Sequence, residues 1–134
     1  REKKSTALSV HLMRWLGDDA LARAVAPAVD TLLPRNDITA YVAASDAVAM
    51  AAILHLEQHG LRVPADRSVA GFDDGYDAHL FDLTTCNFNS TAAVQAMVDF
   101  IVNPGWRPLG GTRDCVVEVT PQIKVRGTTG PAPR

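Results

Sequence analysis

Gly60-Leu61-Arg62-Val63-Pro64-Ala65-Asp66-Arg67-Ser68-Val69-Ala70-Gly71-Phe72-Asp73-Asp74 is the stretch whose reading decides the fold. Gly60 is the expected stop of a preceding helix, because a residue without Cβ accepts the left-handed backbone that closes one. Val63-Pro64-Ala65-Asp66 reads as a loop and Ser68–Phe72 as a short apolar strand that runs into the acidic turn Asp73-Asp74-Gly75. Upstream, a helix is predicted from about Ala47 to His59, with Met50, Ile53 and Leu54 on its apolar face and Asp46 as its cap. Before it, Ile38–Ala44 is short, apolar and partly β-branched, the pattern of a buried strand. Strand, helix, strand in this order predicts a right-handed βαβ crossover and a parallel sheet.

The pattern continues downstream. Leu83–Cys86 reads as a third strand, followed by a helix from about Thr91 to Val102 striped with Val94, Met97, Val98 and Ile101. Asn103-Pro104-Gly105 breaks that helix. Cys115–Val119 and Gln122–Arg126 alternate like strands, so 103–134 reads as return strands and a tail. Towards the N-terminus, residues 5–16 and about 19–33 have helical spacing. Gly17 and Asp18 separate them, and Pro27 is expected to bend or interrupt the second. The whole chain, 1–134, reads as a single partial domain of the α/β class.

Composition excludes several functions. With 134 residues and 47% hydrophobic content the chain buries a real core. A formal charge of −2 and no basic cluster beyond Arg1–Lys4 argue against a DNA-gripping module. Two cysteines, Cys86 and Cys115, make no disulfide framework and fit a reducing cytoplasm. No apolar run approaches the roughly 20 residues that span a bilayer, so no membrane partner is expected.

In an open parallel sheet, ligands bind beyond the carboxyl ends of the strands. Here those ends deliver Ser45-Asp46 and Asp73-Asp74. Such carboxylates accept hydrogen bonds from hydroxyls, which is what a sugar or polyol offers. Their ordinary readings are a helix cap for Asp46 and a turn for Asp73-Asp74. A magnesium site for phosphotransfer or hydrolysis is the other chemistry, but no phosphate-cradling loop or partner Lys accompanies it. His55 and His59, four apart on one helix, could ligate a metal. Without the Glu of an HExxH arrangement they read as a solvated helix end, and no metal or cofactor is expected. No nucleophile elbow surrounds Ser45, so no catalytic residue is assigned. Phe88 and Trp106 could stack on a sugar ring, with core packing as the default.

The ordered motifs Ile38–Asp46 (ITAYVAASD), Gly60–Asp74, Leu83-Thr84-Thr85 and Gln122–Pro131 (QIKVRGTTGP) resemble those of the lactose-repressor/galactose-repressor family of bacterial transcription regulators. The resemblance implies a three-layer αβα architecture with a mostly parallel sheet, one lobe of a periplasmic-binding-protein-like sensor. It implies a sugar-like effector, lobe closure on binding, and DNA contact only through a helix-turn-helix head outside this stretch, as the first lobe also is. By that match Ser45 and Asp73 hydrogen-bond the effector, with Asp46 capping the helix behind them and Phe88 facing the ligand; Ser45, Asp46, Asp73, Asp74 and Phe88 are the expected ligand-binding residues. Ser45 stands where Asn is commoner. Homodimerisation would use Met50, Leu54, Leu80 and Phe81, whose other reading is core packing. Without a first lobe, the stripe on Thr91–Val102 needs another partner. The alternative is a fragment of an exported periplasmic sugar-binding protein.

Overall fold

The computed structural model describes residues 20–103 and 117–132. Helix α1 (Ala20–Leu32) leads to strand β1 (Ala40–Val42), helix α2 (Asp46–Gln58) and strand β2 (Ser68–Phe72). The short helix α3 (Tyr76–Leu80), strand β3 (Thr84–Asn87), helix α4 (Ser90–Val102) and strand β4 (Gln122–Lys124) follow. The sheet order is β1-β2-β3-β4. The first three strands are parallel, with Tyr41 opposite Val69 and Gly71 opposite Thr85, and β4 returns antiparallel to β3. This is a mostly parallel α/β sheet of the three-layer kind.

The core lies where α2 meets the sheet. Ala49, Met50, Ala52, Ile53 and Leu56 of α2 are buried with Val69 of β2 and with Leu83, while Val29 of α1 closes the far side. Removing a side chain such as the fully buried Leu56 by truncation to Ala costs about 2–5 kcal/mol in comparable sites. The end of α2 follows from its glycine. Gly60 has φ +78°, its N–H donates to Glu57 O, and the Leu61 N–H donates to Leu56 O. Those two bonds form the Schellman closure, with Leu61 packed back on the core.

Several expectations need correction. The cap of α2 is Ser45, whose Oγ accepts from the Val48 N–H at 3.3 Å, and Asp46 is the first helical residue. Helix α1 runs unbroken through Pro27, which is exposed. The ring removes one backbone bond there, and packing through Val29 against α2 holds the helix together. Among the described residues β1 pairs only with β2, and its Ala40 and Val42 are exposed instead of buried because no described element covers them. The acidic turn opens into α3, which the sequence did not suggest. Of the expected strand Cys115–Val119, the described part, 117–119, is not in a strand, and β4 is confined to Gln122–Lys124. The helix expected at 5–16 lies outside the described residues, as do Trp106 and Cys115.

Candidate functional site

Because β1, β2 and β3 run parallel, their carboxyl ends share one edge of the sheet. That edge gathers Ser45, Asp73-Asp74 and Asn87-Phe88. The side chains expected there divide into two groups.

Asp46 and Asp74 face inward. Asp46 is buried; its Oδ1 accepts from the Thr85 hydroxyl at 2.5 Å and its Oδ2 from the Gly75 N–H at 2.9 Å. The α2 start can come this close to β2 only because residue 71 has no side chain: a Cβ on Gly71 would stand 2.5 Å from Asp46 Oδ1. The Asp74 side chain is 4% exposed. Its Oδ1 receives Arg126 Nη2 at 2.6 Å and its Oδ2 receives Asn87 Nδ2 at 2.8 Å. Burial pushes its pKa up, but the hydrogen bonds from Asn87 and Arg126 outweigh that and hold the carboxyl below its ordinary value. The imidazole of His79 adds to this from 3.5 Å. A guanidinium already occupying Asp74 also disfavours magnesium there, since the ion would have to displace a bonded cation.

Asp73 and Phe88 face outward. Asp73 is exposed and held at φ +112°, its N–H donating to Cys86 O at 3.0 Å. For a residue with a side chain this backbone is strained by about 1–3 kcal/mol. Neighbouring Asp74 is also left-handed, at φ +53°. The half-exposed Phe88 ring stacks on Phe72 at 5.5 Å between centroids and 24° between planes. Ser45 is half-buried with its hydroxyl engaged as the cap.

Sequence reasoning missed Thr85, Asn87 and Arg126, the three partners that orient the carboxylates. They lie 39, 13 and 52 residues from the acids they bind, a separation no local pattern reports. The segment that brings Arg126 in is fastened by its own threonines. Thr128 Oγ1 donates to Val69 O at 2.7 Å and accepts from the Thr84 N–H at 2.9 Å, while Arg126 N–H donates to Thr84 Oγ1 at 2.8 Å. Gly130 N–H donates to Ser68 Oγ at 3.1 Å.

Of the residues expected at a dimer face, Met50 is in the core, because it lies on the side of α2 that meets the sheet. Leu54 and Phe81 are partly buried against that core, and Leu80 is half-exposed. Cys86 is buried with a free thiol. Helix α4 has no buried residue, and Met97, Phe100 and Ile101 line an open groove of about 640 Å³ with Ala93, Ala96, Val117 and Val119. Among the described residues no helix is long and apolar enough to cross a membrane.

Comparison with known proteins agrees with this architecture. Residues 2–129 match the family described as periplasmic binding protein-like domain. The HTH-type transcriptional regulator MalR of Streptomyces coelicolor is 40% identical over 102 residues, covering 73% of this chain and 28% of the regulator. A LacI transcriptional regulator from a Rhodococcus species superposes with a TM-score of 0.70 at 30% identity, over 84% of this chain and 42% of that one. A Lac repressor dimer bound to operator and the anti-inducer ONPF gives a TM-score of 0.65 at 27% identity, over 81% and 38%. The chain therefore spans less than half the length of each of these relatives. The parallel sheet, the acidic edge at its carboxyl ends and the match over 2–129 together place this chain in the periplasmic binding protein-like domain family, in the form found in LacI-family transcription regulators.

Proposed function

We propose that this chain is the effector-binding part of a bacterial transcription regulator, one partial domain whose DNA-binding head and opposing lobe belong to the rest of the protein. The observation that carries the reading is Asp73: an exposed carboxylate at the carboxyl end of β2, held in a strained backbone one residue after Phe72, on which the half-exposed Phe88 ring stacks. Strain of that size persists where the surrounding structure over-determines it, and such positions cluster at ligand sites. The effector is a small polyhydroxylated molecule, a sugar or close relative. Asp73 accepts its hydroxyls, Phe88 covers an apolar face, and Ser45 lines the same edge. Asp46 and Asp74 support the edge through Thr85, Gly75, Asn87 and Arg126 in place of touching the ligand.

Binding would favour a closed arrangement of the two lobes, and DNA affinity changes only through differential affinity for open and closed states. The protein would act in the cytoplasm as a homodimer, using Leu54, Leu80 and Phe81, without catalysis and without a cofactor. The acidic edge performs no phosphotransfer in this reading. The full-length regulator, screened against a panel of mono- and disaccharides by calorimetry, should bind one of them. Asp73→Ala should abolish that binding with the melting profile retained. Wild-type affinity in the Asp73→Ala protein would refute the assignment.

A further inference from the structure

Asp30 comes from the C-terminal half of α1, His55 from the last turn of α2 and His59 from its C-cap, where a spacing of four puts both imidazoles on one face. The helix pairing brings all three together. His55 Nε2 lies 2.6 Å from Asp30 Oδ1, His59 Nε2 lies 3.9 Å from the same oxygen, and the three prospective donor atoms fall within 4.8 Å of one another. The two rings stand 4.5 Å apart, tilted by 53°. From this geometry we propose that Asp30, His55 and His59 form a binding site for a divalent transition-metal ion that fastens α1 to α2.

The chemistry of the donors supports this. His59 Nδ1 is 2.9 Å from the His55 carbonyl oxygen. A carbonyl only accepts, so Nδ1 carries the hydrogen and Nε2 presents its lone pair towards Asp30. Two imidazoles and one carboxylate suit zinc, nickel, cobalt or copper, whereas calcium and magnesium prefer all-oxygen shells. With metal–ligand distances of about 2.0–2.2 Å, tetrahedral neighbours stand roughly 3.4 Å apart. The separations from Asp30 of 2.6 and 3.9 Å bracket that value and the His55–His59 pair lies within 4.8 Å, so an ion would draw the three donors together by side-chain rotation. The backbones are anchored by neighbours in the core, Val29 beside Asp30 and Leu56 beside His55. On ion entry, His55 moves its ring hydrogen from Nε2 to Nδ1, and the Asp30–His55 hydrogen bond is replaced by two bonds to the metal. The fourth position faces solvent, since Asp30 and His59 are exposed, and takes water. Residue 45, at the proposed effector edge, lies ten residues up α2 from His55, about 15 Å along the axis. The site is independent of the effector reading.

The untagged 134-residue chain, titrated with Zn²⁺ by calorimetry, should take one ion per chain in the micromolar range, with a melting midpoint raised by saturating Zn²⁺. Co²⁺ should give the visible absorption of a tetrahedral N/O complex. Asp30→Asn and His59→Gln, both exposed positions that leave the circular dichroism unchanged, should each weaken Zn²⁺ binding by at least about tenfold. Absence of saturable binding to the wild-type chain overturns the proposal, and so does wild-type affinity in either variant.

Discussion

Two aspartates adjacent in sequence do opposite work, and residue-level predictions follow from the difference. Asp74 is buried and bonded to Arg126 and Asn87, with its pKa held below the ordinary 3.8 despite its burial. A carboxyl whose pKa is lower in the folded than in the unfolded state adds stability above the ordinary value, and loses it as pH falls through the folded value. Unfolding free energy should therefore drop on acidification below about pH 4, and urea titrations of Asp74→Asn should show a shallower drop. Replacing Arg126 with Leu at neutral pH leaves a buried carboxylate uncompensated and should cost about 3 kcal/mol in the same assay. Asp73 carries strain in place of burial. Asp73→Gly relieves the φ of +112° and should raise stability by about 1 kcal/mol while removing effector affinity. A destabilised Asp73→Gly protein would show that the backbone there is not strained.

At the scale of elements, α4 stands out because none of its residues is buried, although Val94, Met97, Phe100 and Ile101 are apolar. An exposed apolar helix face of this extent seeks a partner. The isolated chain should self-associate through it, and Met97→Lys with Ile101→Lys should shift sedimentation towards monomer without changing the melting midpoint. A wild-type chain that remains monomeric at high concentration would contradict this. The helix and its stripe were legible from the 3.6-residue spacing. The exposure was not, because periodicity marks which face is apolar and says nothing of what covers it.

For the molecule as a whole, the run Arg126–Gly130 ties the C-terminal stretch to the starts of β2 and β3. Thr128→Val would strand the Val69 carbonyl and the Thr84 N–H inside the protein. The expected loss is about 2–6 kcal/mol, taking each of the two unsatisfied groups at its desolvation cost. Amide exchange of the Thr84 N–H should accelerate in the variant; unchanged protection would remove Thr128 from this role.

The sequence by itself determined the βαβ order, the parallel pairing, the glycine closure of α2 and the edge at which the acidic residues gather. All of these rest on local backbone preference and short-period burial, which a linear pattern records. It also carried the motif from Gly60 to Asp74 that marks the family. Only the tertiary structure decided which acids of that edge are open and which are internal. Asp46 and Asp74 are distinguished from Asp73 by Thr85, Asn87 and Arg126, and these arrive from distant strands through folding. The same holds for Met50 in the core, for β1 at the edge of the described sheet, and for Asp30 meeting His55 and His59 across two helices. A contact between side chains far apart in the chain has no local signature, because it is the packing of whole elements that creates it.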